Sequence, residues 1–298
     1  MSSGTRAAGQ PTKPEQWAEW VLRRRFGGDP DARRQTDQFI EPIRRRLLDL
    51  AELRPEDVVL DIASRDGYMG VGAAERLSAD GRVIFTELSE DLLTACQTNA
   101  EAAMVPAQCE YRQLPPDDLS TFADASVDVV IVRSILNYVE DRIEALSEYR
   151  RVLRPGGRLA MIQMFPNETK PGWLSGYYVP EVADLAARVG AVLDSYSPKT
   201  ETLYEERVLI AELESVGFET LYMWLNLEIS RSSDWPPPRW ELAKQMSTGP
   251  DQPTLDEAIT EALDPAEADR LIAVLRVEVE SGRRAVRFPK AFIRAIRD

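Results

Sequence analysis

Between residues 57 and 165 the chain alternates short apolar runs with longer amphipathic stretches. The runs read DVVLDI, RVIFTE, CEYRQL, VDVVIV and RLAMIQMF, with VGAAERLS, DLLTACQTNAEAA and IEALSEYRRVL between them. Near-continuous apolar strands separated by helices predict a parallel sheet covered on both faces. Right-handed crossovers then gather the carboxyl ends of the strands along one edge, where ligands of open α/β sheets bind. Upstream, helical patterns run over 14–26 and 31–53, broken by Gly27-Gly28-Asp29-Pro30. Downstream the rhythm changes. An aromatic, turn-rich loop over 166–178 precedes helices at 180–194 and 205–216, a strand near 218–229, and helices at 254–263 and 265–281. The last run, RRAVRFPKAFIRAI, reads as a strand, and its Pro289 argues for a bulge or an edge position.

Composition narrows the function. The 298 residues are 44% hydrophobic and 29% charged, which suits a soluble globular protein with a sizeable core. No apolar run approaches the roughly 18 residues of a membrane-spanning helix. A cytoplasmic protein without membrane contact is therefore expected. The formal net charge of −14 repels a phosphate backbone and argues against nucleic acid as a partner. Basic residues crowd the N-terminal segment as Arg23–Arg25, Arg33, Arg34 and Arg44–Arg46. They read either as solvated helix faces or as partners of an anionic group. Two cysteines, Cys96 and Cys109, fit no disulfide framework or zinc spacing and read as small buried residues. There is no histidine, so Ser-His and Cys-His relays are excluded, and no metal site is expected. Any base must be a carboxylate, a tyrosine, a water or the substrate itself.

Asp61 closes the first run and Glu87 the second. An acidic residue at the end of the second strand is placed to accept both ribose hydroxyls of an adenosine cofactor. VDVVIV as a fourth strand and LRPGG at 153–157 leading into a fifth complete a pattern. The order VVLDI…DG, GRVIFTELSEDLL, VDVVIVRSILNYV and YRRVLRPGGRLAMI resembles the class I S-adenosylmethionine-dependent methyltransferases. The segment Trp17-Ala18-Glu19-Trp20, followed by Arg24 and Arg25, is similar to one found in a bacterial small-molecule group of that family. The resemblance implies a doubly wound α/β fold: a mostly parallel, seven-stranded Rossmann-like sheet with an N-terminal helical lid and extra C-terminal helices. It divides the chain into a disordered tail (1–13), the lid (14–54), a cofactor-binding core (55–165) and a capping loop and helices with the last strands (166–298). It makes Glu87 the ribose partner and Leu88 a wall of the adenine pocket. Asp61, Gly67 and Asp118 match cofactor-loop positions, and Arg133 and Ser134 face the site after the fourth strand. Asn137 and Tyr138 continue towards the substrate.

Two loops depart from the family pattern. Ala63 and Arg65 stand where glycines are usual, and Arg65 reads either as a partner of the methionine carboxylate or as a filler of the pocket. Pro115-Pro116 replaces residues that would read adenine, and proline has no N–H to offer. Three functions stay open. One is S-adenosylmethionine-dependent methyl transfer to a small, secondary-metabolite acceptor. Another is a repurposed fold that cyclises, rearranges or eliminates, with Arg65, Arg24 or Arg133 holding an anionic group. The third is a non-enzymatic partner role. Where a base is needed, Tyr68 and Tyr138 lead, with Tyr177, Tyr178 and Glu168 behind them. Trp20, Arg24, Asn137, Trp173, Tyr177 and Tyr178 are the candidate substrate contacts, with Trp17 and Phe26 helping to close an apolar chamber. The oligomeric state stays open, a homodimer included.

Overall fold

In the computed structural model the described residues are 13–165, 173–196, 205–230, 239–282 and 286–298. The expected tail lies outside them except for Lys13, as do residues 166–172 of the expected loop. The chain opens with α1 (Lys13–Leu22), a 3-10 turn (Arg24–Phe26) and α2 (Pro30–Leu50). Asp29 caps α2 by accepting hydrogen bonds from Asp31 N and Ala32 N, with Pro30 fixing the first turn. The core then runs β1 (Val58–Ile62), α3 (Tyr68–Ala74), β2 (Arg82–Glu87), α4 (Glu90–Ala103), β3 (Gln108–Gln113), β4 (Val127–Arg133), α5 (Arg142–Val152) and β5 (Leu153–Met164). Each apolar run of the sequence is one of these strands. A short hairpin, β6 (Trp173–Leu174) and β7 (Tyr177–Tyr178), leads to α6 (Ala183–Ser195), α7 (Glu206–Ser215) and β8 (Thr220–Ser230). Next come α8 (Trp240–Ala243), α9 (Leu255–Ala262), α10 (Pro265–Glu280) and β9 (Val286–Ile296).

The seven-stranded sheet has the order β3-β2-β1-β4-β5-β9-β8. β1 to β5 pair in parallel, and β9 runs antiparallel to both β5 and β8. Two apolar layers cover it. Trp17, Leu146, Tyr149 and Leu209 pack on one face, while Leu47, Met69 and Cys96 pack on the other. Burying both faces explains why β1 and β4 read as unbroken apolar runs rather than alternating ones. A third cluster, with Leu174, Tyr177, Leu185, Trp240, Ile259 and Leu271, holds the hairpin, α6 and the C-terminal helices together. Among the described residues no helix is long and apolar enough to cross a membrane.

Two expectations need correction. β9 is an inner strand, not an edge. Pro289 is accommodated because the last β5–β9 pair is Met164 with Lys290. Its carbonyl accepts from Phe165 N just past that pair, so its missing N–H falls at the limit of the ladder. The aromatic segment expected as an open loop instead closes as a hairpin around Ser175-Gly176. Both turn residues have positive φ (50° and 87°), which is the chemistry of a two-residue turn.

Candidate functional site

The carboxyl ends of β1, β2 and β4 lie side by side, with Ile62 opposite Thr86 and Val132. Beyond β1 the chain turns through 63–67 into α3. Three residues of this turn have left-handed backbones: Ala63 (φ 52°), Arg65 (φ 58°) and Gly67 (φ 82°). These are the places where the family pattern has glycine, so the loop keeps a glycine-loop path with side chains attached. Each L-residue held there costs about 1–2 kcal/mol. At Gly67 even a Cβ would lie 3.1 Å from Cys96 Cα. The path is fixed by its neighbours. Ser64 N donates to Thr86 O, Gly67 N to Ser64 O, the Cys96 thiol to Arg65 O and the Asn99 amide to Asp66 O.

Glu87 couples this turn to β2. It is 2% exposed, and its carboxylate accepts from Arg65 N and from Leu88 N, both at 2.8 Å. The Trp17 indole of α1 favours its charged form from nearby. Burial raises its pKa, and these donors pull the other way. Asp61 accepts from Gly70 N at 2.9 Å and is 1% exposed; desolvation pushes it up to about 7, with Arg133 and the Ser64 hydroxyl opposing.

A cavity of about 580 Å³ opens on Glu87, a size usual for a small-molecule site. Ala63, Leu88, Leu114, Pro115, Pro116 and Ile135 form its apolar walls, and Asn137 and Tyr138 lie beside them. Lys13 and Trp17 close it from α1, Tyr196 follows α6, and residues 249–252 complete the rim. Four carboxylates face it (Glu87, Asp117, Glu140 and Asp251), and Lys13 is the one cation among the described lining residues. Such a surface favours a cationic ligand. The Asn137 side chain accepts from the Gln163 amide at 2.9 Å, which orients it into the cavity. Trp17 meets Tyr138 edge to face at 5.0 Å, and burial raises the Tyr138 pKa.

Several candidate residues stand elsewhere. The Tyr68 hydroxyl donates to Asp37 O at 3.0 Å and lies 2.8 Å from Glu41 Oε2, with Arg44 over its ring; burial and Glu41 raise its pKa. It is away from the cavity and is not placed as a base. Tyr68→Phe is expected to lower stability by about 1 kcal/mol and to leave ligand affinity within twofold, checked by thermal unfolding and titration. Trp20 is buried and donates to Ser247 O at 3.0 Å, anchoring α1 rather than lining the cavity. Arg24 pairs with Glu257 at 2.5 Å. Tyr177 packs in the third apolar cluster, and Tyr178 is 49% exposed on the hairpin. Asp118 is exposed and accepts from Ser120 N, while its neighbour Asp117 takes the place in the wall. The Ser134 hydroxyl and N–H both donate to Ile162 O, so it ties β4 to β5. The Trp173 side chain and Glu168 lie outside the described residues.

Residues 249–252 and Asp117 were missed. A Gly-Pro turn far along the chain gives no sign of the sheet edge it covers. Asp117 was passed over for its neighbour by one position in a turn.

The residues present suit an S-adenosyl cofactor. Glu87 offers a ribose acceptor beside an apolar slot, while Asp61 and the Arg65 guanidinium, whose Nε has no partner, are buried at the end of β1 and in the loop after it, outside the cavity lining. Residues 60–161 match the family model for a methyltransferase domain. The chain is 30% identical over 171 residues to the nocamycin O-methyltransferase of Saccharothrix syringae. That match covers 57% of this chain and 57% of the relative. Among solved structures, a Bacillus halodurans protein superposes with a TM-score of 0.53 at 18% identity, covering 85% of this chain and 98% of the other. The [4+2]-cyclase SpnF superposes with a TM-score of 0.50 at 14% identity, covering 87% and 81%. At such identities the structural likenesses establish the fold alone.

Proposed function

Because this chain belongs to the class I S-adenosylmethionine-dependent methyltransferases, we propose that it transfers a methyl group to a small-molecule, secondary-metabolite acceptor in the cytoplasm. The observation that carries this is the Glu87 carboxylate at the end of β2. It opens onto the cavity and is hydrogen-bonded to a turn that keeps the glycine-loop backbone through Ala63 and Arg65.

The cofactor would supply an electrophilic methyl group on a sulfonium. Glu87 would hold its ribose, Leu88, Leu114, Pro115 and Ile135 its base, and Asp61 and Arg65 the charged methionine end. The carboxylate-lined cavity favours the cation. Pro115 and Pro116 add apolar surface but no N–H, so adenine recognition rests on shape and contact.

The protein's main contribution is alignment in a closed pocket. Trp17 and Tyr138 wall the inner end of the cavity, and Asn137 is held in one orientation by Gln163. An acceptor proton would pass through water to a wall carboxylate, Glu140 or Asp251, and the Tyr138 hydroxyl, kept protonated by burial, could only relay it. Calorimetric titration with S-adenosylmethionine and S-adenosylhomocysteine tests the reading. Micromolar binding is expected, and none up to millimolar concentration in folded protein would overturn it.

A further inference from the structure

Behind the wall made by Trp17 and Tyr138 three arginines converge. They are Arg25 from the 3-10 turn, Arg65 from the loop after β1, and Arg133 at the end of β4. The Arg25 and Arg65 guanidinium carbons lie 5.5 and 5.3 Å from the Trp20 ring centroid, and that of Arg65 lies 5.6 Å from the Trp17 ring. Arg133 is close enough to disfavour the charge on both. Desolvation, aided by this repulsion, brings Arg25 down to about 10 and Arg65 to about 9.

None of the three guanidiniums makes a hydrogen bond or an ion pair among the described residues. Arg65 is 6% exposed, and its Nε is buried without a partner. The surrounding carboxylates are engaged elsewhere. Asp66 pairs with Arg33 at 3.0 Å, Asp61 accepts from Gly70 N, and Glu87 accepts from Arg65 N and Leu88 N. Asp37 senses Arg25 and Arg133 without reaching ion-pair distance. Elsewhere this chain pairs the arginines that it buries. Arg158 bonds Asp57 inside the core, and Arg142 grips Glu212 at 2.8 Å. A chain of net charge −14 has acids to spare, so three unpaired cations in one place mark a place kept for an anion.

We propose that Arg25 and Arg133, beside the Arg65 that would hold the cofactor carboxylate, form the seat for an anionic group, a carboxylate or a phosphate, on an aromatic methyl acceptor. Trp17 and Tyr138, which line the cavity, offer the ring faces beside it. This identification rests on the methyl-transfer reading. One cofactor carboxylate would occupy a single guanidinium fork and leave two cations unmatched. An anionic acceptor uses the others, and its charge relieves their mutual repulsion.

Phenyl phosphate, benzoate and neutral phenol, titrated into the full chain with and without saturating S-adenosylhomocysteine, test it. At least one of the two anions is expected to bind ten-fold or more tighter than phenol, and to keep that affinity when S-adenosylhomocysteine is bound. Arg133→Gln should cut anion affinity at least ten-fold. It should also raise the melting temperature of the ligand-free protein by one to a few degrees, by removing a repelled charge; a merely structural arginine would lower it. Arg25→Gln, at a half-buried position on the lid, repeats the test if Arg133→Gln fails to fold. Anions that bind no better than phenol would overturn the proposal. So would anion binding that saturating S-adenosylhomocysteine abolishes, since the arginines would then serve the cofactor. Arg133-dependent anion binding in a protein that ignores S-adenosylhomocysteine would uphold the anion seat and sink the methyl-transfer reading instead.

Discussion

Glu87→Ala is expected to weaken S-adenosylhomocysteine binding by 100-fold or more in calorimetric titration. Two losses add. The ribose acceptor disappears, and a hydrogen bond to a charged group contributes about 1.5–3 kcal/mol. The N–H groups of Arg65 and Leu88, each 2.8 Å from the carboxylate, also lose their partner. Leaving a buried donor unsatisfied costs about 1–3 kcal/mol, so the turn that shapes the cavity relaxes as well. At about 1.4 kcal/mol per decade the first loss alone spans one to two decades. Glu87→Gln separates the two effects. The amide oxygen still accepts one of the two backbone N–H groups, so the turn is disturbed less than in the alanine variant and affinity falls about ten-fold. Melting temperature should drop several degrees in the alanine variant and less in the glutamine one. Glu87→Ala binding within three-fold of the parent would show that this carboxylate is a structural latch for the turn and not a ligand contact.

The parallel core was legible because it rests on one strong signal. Strands buried on both faces must be apolar throughout, and VDVVIV or DVVLDI cannot hide that. The ends of β1 and β2 were legible for the same reason: Asp61 and Glu87 are polar residues set where an apolar run stops. The loop after β1 was harder. Glycine predicts positive φ, yet Ala63 and Arg65 reach it too, because Ser64, Cys96 and Glu87 pin the backbone from outside. Sequence alone cannot weigh such pins. It could list two fates for Arg65, a partner for a ligand or a plug. The structure puts the side chain behind Trp17, stacked on indoles and without an ion partner.

The lid and cap were the least legible. WAEW announced an aromatic helix, but which indole would face the cavity depends on how α1 rolls onto the sheet. Trp17 lines the cavity, whereas Trp20 turns away to bond Ser247 O. Tyr68 follows the acidic loop closely in sequence, yet it starts α3, and helical rotation carries its hydroxyl to α2 instead of the site. Tyr177 was expected over the substrate and is instead buried among helices. The Ser175-Gly176 dipeptide that folds the hairpin is a turn signal the segment's aromatic richness obscured. Long-range packing decides each of these, and residue spacing carries little of it.

Asp61 should give the protein a pH response that runs opposite to that of an ordinary ion-paired carboxylate. Its pKa is lifted from 3.8 to about 7, chiefly by desolvation, with Glu87 pushing the same way and Arg133, Ser64 and Gly70 N opposing. The folded state therefore binds this proton more tightly than the unfolded chain does. The resulting stabilisation is complete below about pH 4, declines as pH rises and is gone above about 7. A shift of this size corresponds to roughly 4 kcal/mol at most. Asp37 and Glu87 are raised too and reinforce the trend. Glu148 is lowered by Arg151; its contribution is lost only as pH falls through the acid range, below the window in question. The ligand-free melting temperature is thus expected to fall between pH 5 and 8, and Asp61→Asn should flatten most of that slope. Binding turns the same charge to use. A cation near Asp61 favours its ionised form, so S-adenosylmethionine affinity should rise with pH up to about 7 and level off above it. Near pH 6.5, binding should release a fraction of a proton, visible as a binding enthalpy that changes with the buffer's ionisation heat. Asp61→Asn should abolish both the rise and the proton release. If the parent protein's affinity and melting temperature stay level from pH 5.5 to 8, matching Asp61→Asn, then Asp61 is ionised throughout and its environment is more polar than its burial and hydrogen bonds imply.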